Sequence, residues 1–438
     1  MVRTGAAGRS VGCAVVALLA LAACTGGGHD PAAQRPGGGA PSTGSEQSTS
    51  AAAPVDLLIS PTPQSRDIRP SRVIHVRAHG GTLRSVDVRS GSDEVIGRFS
   101  ADHASWRSTS TLHVSSRYAV TATGTNATGQ TATATSWFRT LAPASTFSAA
   151  IAAQRQETYG VGMPIQISFS RPVTNRSDVE RALHVTTSKP VVGAWQWIDA
   201  QHVNFRPRDY WPAHTDVKVD AAMDGVRAAP GVYGTSDYTR RFEIGRSLIV
   251  VVSTVTHRLH LYQDGKLIHN WPISTGQPGD DTPNGTYLTI EKANPVRMRP
   301  ADIAPGQPGY YDLEVPWSVR FTWSGIYLHD AYWSVYEQGH VNVSHGCVNM
   351  PPAAAEKYYK MERHGDPVTV TGSPVAGTPG DGWTDWFYSW RQLLARSALH
   401  KAVEAGPDGS RFVAPSAVPA STGTAPLGRP EVGNSAAS

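Results

Sequence analysis

Cysteine is scarce in this chain: three in 438 residues, at Cys13, Cys24 and Cys347. Two of these fall in the first two dozen positions. The globular part therefore holds a single thiol, which excludes a disulfide-stapled scaffold. Charge is also thin, with 17% Asp, Glu, Lys and Arg and a formal net charge of +4. That balance excludes the basic stripe expected of a nucleic-acid-binding protein. The apolar run from Val11 to Ala23 is too short to span a bilayer as a helix.

What is present begins with that run. Arg3 and Arg9 precede it and small residues close it, the pattern of an export signal. Leu21-Ala22-Ala23-Cys24 resembles a bacterial lipobox, which makes Cys24 a lipidated N-terminus after cleavage. An ordinary secretory signal is the alternative. With Cys13 removed and Cys24 capped, Cys347 is the remaining free thiol, and in an exported protein reactivity explains a lone thiol better than structure does. Residues 25–54, rich in Gly, Ala, Ser, Thr and Pro, read as a disordered tether.

The next two segments alternate like strands. In 55–142, Val73-Ile74-His75-Val76, Ser85-Val86-Asp87-Val88 and Thr131–Phe138 are separated by Gly-rich turns, which predicts a β-sandwich. In 143–245, Pro164–Phe169, Trp195-Gln196-Trp197 and His202–Phe205 predict a second one, with a short helix over Asp178–Leu183. Residues 246–372 open with the buried-strand run Leu248–Val252. Asp264-Gly265 between two apolar runs predicts a type I′ hairpin. Thr282-Pro283-Asn284-Gly285 reads as a β-turn before a strand. Residues 290–317 hold four Pro-containing turns and read as a long irregular lid, with Met298, Tyr310 and Tyr311 as lining candidates. Phe321–His329 reads as one alternating strand, Ala353–His364 as a helix, and Val368–Val370 as the last strand. Trp383, Trp386, Phe387, Trp390, Leu393 and Leu394 recur at helical spacing, which predicts an amphipathic helix within 373–404. Residues 405–438 read as a disordered tail.

The chemistry concentrates in Ser344-His345-Gly346-Cys347-Val348-Asn349, with His329 upstream. A thiol beside His and Gly, with a second His brought in by the fold, is how a cysteine nucleophile is built. Imidazole can hold the thiol as the reactive thiolate, and Gly346 lets backbone N–H groups face a developing oxyanion. Two other readings stand beside this one. Cys347 can be a small buried hydrophobe, or His329, His345 and Cys347 can bind zinc, given a further ligand or an open position.

His329 followed by Ser344-His345-Gly346-Cys347-Val348-Asn349 resembles the signature of the L,D-transpeptidase catalytic domain, the YkuD-like fold. The resemblance covers roughly residues 246–372. It implies a mainly β chain: two immunoglobulin-like modules, a β-rich catalytic domain and a C-terminal helix. It also implies a cysteine acyltransferase that links peptidoglycan stem peptides 3→3 with loss of D-alanine, and that carbapenems acylate. Cys347 is then the nucleophile and His329 the general base and acid. Ser344 is a candidate to orient His329, while His345 and Gly346 shape the oxyanion loop. Tyr311, Ser324, Gly325 and Asn342 are implied substrate contacts, and Asn349 belongs to the same set through the geometry of the motif. Asp330 stands where the family often has a small hydroxyl residue, which leaves the charge near the donor peptide open. Some relatives bind calcium late in the second module, but Val226–Gly231 has no carboxylate, so no metal is expected there. No cofactor is implied. The partners are peptidoglycan stem peptides and, through Cys24, the outer face of the cell membrane, with no nucleic acid. Hydrolysis of the same thioester (an L,D-carboxypeptidase) and a non-catalytic wall-binding lipoprotein are the competing functions.

Overall fold

The computed structural model describes residues 53–417 apart from 155–156, 301–302 and 308–309. The expected signal, Cys24, all but the end of the tether, and the tail after 417 lie outside the described residues. Among the described residues no helix is long and apolar enough to cross a membrane.

Alternation builds the first sandwich. In Arg117–Asn126, Tyr118, Val120 and Ala122 are buried while Arg117, Ala119 and Thr121 face out, as a period of two requires. This strand pairs with Gly81–Ser90 and Thr131–Arg139. A second four-stranded sheet, containing Asp56–Ser60, His75–His79, Ser105–Ser108 and Gly97–Phe99, shares the core with it through Ile74, Trp106 and Phe138.

The second sandwich is built around Trp195, Phe205 and Trp211, all almost fully buried. One of its sheets runs in the order Ala149–Ile151, Ile165–Phe169, His202–Pro207, Val191–Trp197, Ala402–Gly406, Gly409–Val413. Its last two strands correct the sequence reading. Residues expected to begin a disordered tail form a hairpin that adds to the free edge of Val191–Trp197, pairing Val191 with Ala405 and Gly193 with Val403. The aromatic segment before them is not one long helix. It is a single 3-10 turn, Asp385–Phe387, and a short helix, Trp390–Ala395, opened by a Ser389/Gln392 capping box.

In the catalytic part, Leu248–Ser253 lies at the centre of a five-stranded sheet between Arg258–Gln263 and Pro367–Thr371. Asp264 and Gly265 both have positive φ, 48° and 79°, as a type I′ turn demands. A second sheet orders Glu291–Ala293, Ser318–Arg320, Tyr327–Asp330 and Val348–Met350. Phe321–His329 is therefore not one strand: residues 321–326 form a turn between two. The expected irregular lid carries its own two-stranded hairpin, Val296–Met298 with Leu313–Val315. The helix Pro352–Met361 buries Ala354, Ala355 and Tyr358 against this core, with proline in its first turn.

Candidate active site

Strand pairing sets the segments that carry the two key side chains next to each other. Tyr327–Asp330 and Val348–Met350 run parallel, with Leu328 opposite Val348 and His329 opposite Asn349. Cys347 immediately precedes the second strand, and His329 lies within the first. The Cys347 thiol donates to the Gly325 carbonyl at 3.8 Å.

His329 is 3% exposed, and its Nδ1 donates to the backbone carbonyl of Asp330 at 2.8 Å. A carbonyl can only accept, so Nδ1 carries the proton and Nε2 keeps its lone pair. Trp333 stacks on the ring at 5.8 Å. Burial lowers the His329 pKa to about 4. Burial likewise pushes the Cys347 thiol up to about 11. Both shifts favour the neutral forms, a thiol and an imidazole. Burial also raises the Asp330 carboxyl above its ordinary range.

Ser344 does not orient His329. Its hydroxyl donates to the Cys347 carbonyl at 2.6 Å and accepts the Gly346 N–H at 3.2 Å. Its carbonyl is taken by the Gln277 N–H at 2.9 Å. The Gly346 N–H, expected as an oxyanion donor, is thus already engaged, whereas the Cys347 N–H has no acceptor among the described residues. Glycine is required at 346 by its φ of +108°. A Cβ there would meet nothing nearer than 3.5 Å, so crowding is not the reason.

His345 is exposed, with its ring 5.3 Å from that of Tyr311. Tyr311 is half-buried, and burial first and then the nearby Cys347 raise its phenol pKa. His345 thus faces the lid while His329 is buried beneath Trp333. Among the described residues no cluster of three His, Cys, Asp or Glu has a metal-holding arrangement, so the zinc reading has no site here.

Two of the expected substrate contacts hydrogen-bond to the protein. Asn342 Oδ1 accepts from the Thr275 N–H at 3.0 Å and the Thr275 hydroxyl at 2.8 Å and lies 2.9 Å from His257 Nδ1. Its Nδ2 donates to Thr254 O at 2.9 Å. Asn349 is 4% exposed and donates to Ser334 Oγ at 3.0 Å. Both brace the loop rather than face a ligand. Ser324 is bound to Asp381, whereas the Gly325 carbonyl faces the thiol.

Thr282 was missed by sequence reasoning. Its hydroxyl donates to Gly346 O at 2.7 Å and accepts the Gly276 N–H at 2.9 Å. The Thr-Pro-Asn-Gly run signals a turn, and nothing local reveals a strut under the cysteine loop.

Comparison with known proteins identifies the family. Residues 65–227 match the family described as bacterial Ig domain, and residues 247–370 match the L,D-transpeptidase catalytic domain. L,D-transpeptidase 5 of Mycobacterium tuberculosis is 33% identical over 354 residues, which is 78% of this chain and 77% of that protein. L,D-transpeptidase 2 of the same species is 32% identical over 329 residues, 74% of this chain and 80% of that protein. A solved L,D-transpeptidase in complex with imipenem is 33% identical, covering 52% of this chain and 100% of that one at a TM-score of 0.45. The chain belongs to the L,D-transpeptidase family.

Proposed function

We propose that the chain forms 3→3 cross-links between peptidoglycan stem peptides, with Cys347 as nucleophile and His329 as general base and acid. The Cys347 sulfur attacks the carbonyl that precedes the terminal D-alanine of a tetrapeptide stem. Its proton passes to His329 Nε2 as the S–C bond forms. The C–N bond then breaks, and the same proton leaves on the amine of D-alanine. A side-chain amine of a neighbouring stem attacks the thioester, His329 takes the amine proton, and the sulfur recovers it.

The shift of both groups toward their neutral forms supports proton transfer in step with attack, rather than storage of a thiolate. The Cys347 N–H supplies an oxyanion donor, a contact that elsewhere contributes roughly 3–4 kcal/mol. His345, Gly346 and Ser344 keep that loop in shape, while Tyr311 and Gly325 line the donor groove. A strained β-lactam carbonyl presents the same electrophile, so carbapenems acylate Cys347.

The remaining segments serve placement. Cys24 carries the lipid anchor, and residues 25–54 and the two sandwich modules hold the site away from the outer face of the membrane. A Cys24→Ser variant released into the medium is the expected result.

The single observation that supports the reading is the His329 Nδ1 bond to the Asp330 carbonyl, which leaves Nε2 unprotonated on a buried strand that runs parallel to the strand following Cys347. The test is product analysis after incubation with a disaccharide-tetrapeptide. Cross-linked dimers with loss of D-alanine are expected. Tripeptide monomers alone would assign hydrolysis instead, and no turnover by folded protein would favour a wall-binding role.

A further inference from the structure

The turn beside the nucleophile is held by a carboxylate from outside the catalytic sheets. Residues 321–326 link Ser318–Arg320 to Tyr327–Asp330. Within them Gly325, at φ +100°, presents the carbonyl that accepts the Cys347 thiol. The Asp381 carboxylate accepts the Ser324 N–H at 2.7 Å and the Ser324 hydroxyl at 2.6 Å, across 57 residues of sequence. The adjoining Gly382, at φ +104°, lies so close that a Cβ would stand 2.7 Å from Phe321 O. Inside the turn, Thr322 Oγ1 lies 2.9 Å from Ser324 Oγ and accepts the Ile326 N–H at 2.9 Å.

We propose that Asp381 is a positioning residue of the active site, acting through Ser324 to fix the Gly325 carbonyl against the Cys347 thiol. This rests on Cys347 being the nucleophile. Hydrogen bonds to an ionised carboxylate are about twice as strong as neutral ones, and two of them converge on one residue of a short turn. The Ser324 hydroxyl then works as a strut and not as a donor to substrate. The segment that supplies Asp381 continues into the hairpin Ala402–Gly406 and Gly409–Val413, which is part of the second sandwich. The geometry of the turn is therefore tied to a module that holds no catalytic group.

The test compares Asp381→Ala, Asp381→Asn, Ser324→Ala and the Asp381→Ala/Ser324→Ala double variant in the full chain. The readouts are alkylation of Cys347 by iodoacetamide and kcat and KM for a disaccharide-tetrapeptide. Asp381→Ala should lower kcat about tenfold with little change in KM, the scale of a lost charged hydrogen bond, and should alter the alkylation rate. Asp381→Asn, which keeps one acceptor oxygen, should recover part of the loss. The double variant should be no worse than the poorer single one. Wild-type kcat and alkylation in Asp381→Ala, or losses that multiply in the double variant, would overturn the proposal. If Asp381→Ala does not fold, Asp381→Asn against Ser324→Ala carries the comparison: reduced kcat in both supports it, and wild-type kcat in Asp381→Asn overturns it. Alkylation that responds to Asp381 in a protein without cross-linking activity would sink the cross-linking reading and leave this one standing.

Discussion

His329 is held by the backbone of the residue that follows it: its Nδ1 donates to the Asp330 carbonyl at 2.8 Å. This one bond sets the tautomer. It does so without a third side chain, so main chain alone orients the imidazole that the proposed function uses as base.

The first prediction concerns the thiol. Because burial raises Cys347 to about 11, its alkylation by iodoacetamide should keep rising with pH above 9, where an unfolded cysteine levels off. The check is a pH series of alkylation rates followed by mass spectrometry. A plateau below pH 8 would mean a thiolate–imidazolium pair at rest.

Stability should depend on pH through the same two groups. His329 has a folded pKa of about 4, below its unfolded value of 6.5. The unfolded chain therefore binds more protons between pH 6.5 and 4, and stability falls as pH falls through that window, by on the order of 3 kcal/mol. Cys347 has the opposite shift, so its contribution weakens stability as pH rises from 9 toward 11. Urea unfolding of the protein and of His329→Gln at pH 7 and pH 4 should show the acid-side loss in the first and a smaller one in the second.

Ser344→Ala separates loop support from base orientation. Losing the bonds to Cys347 O and the Gly346 N–H should lower kcat about tenfold, the effect of roughly 1–2 kcal/mol. Its pH–rate profile should match that of the unaltered protein, because His329 is not touched. A shifted acid-side limb, where His329 becomes protonated, would return Ser344 to the role of orienter.

Thr282→Val should act in the same loop from the other side. It removes the hydroxyl that bridges Gly276 and Gly346 and leaves both backbone groups without that partner. A loss of about 2 kcal/mol in urea unfolding, with reduced kcat, is expected. Unchanged values of both would show that the bridge is dispensable.

Asp385 tests the return of the C-terminal segment. It is 6% exposed and accepts from Gln196 and Asn204 of the second sandwich. Asp385→Ala leaves two buried amides unpaired and should cost about 3 kcal/mol by urea unfolding. Burial raises the carboxyl pKa of Asp385, so Asp385→Asn, which removes the cost of burying a charge, should cost less. Equal losses in the two variants would contradict this.

How far the sequence reveals this molecule depends on how local the cause is. The Asp264-Gly265 turn and the strand Leu248–Ser253 follow from short-range rules and form where those rules place them, and so does the start of the helix Pro352–Met361, which ends three residues before the expected His364 because Glu362 is already extended. The Ser344–Asn349 motif is legible for the same reason, as six consecutive residues within the matched catalytic domain. The aromatic segment misleads because its residues match helical spacing but pack on three different places. Trp383 lies against His364, Trp386 against Tyr210, and Phe387 against Tyr287. Ala402–Gly406 carries no strong strand signal and becomes a strand because Val191–Trp197 offers it an edge some two hundred residues away. The roles of Ser344, Asn342 and Thr282 are set by hydrogen bonds to distant backbone, which no local pattern encodes.

The most direct measurement is intact-protein mass spectrometry of the protein and its Cys347→Ala variant, mixed with a disaccharide-tetrapeptide and no acceptor. An adduct equal to the stem less D-alanine, mapped to Cys347 and absent from the variant, is the predicted result. Turnover in Cys347→Ala, or an adduct on any other residue, would contradict the assignment of the nucleophile.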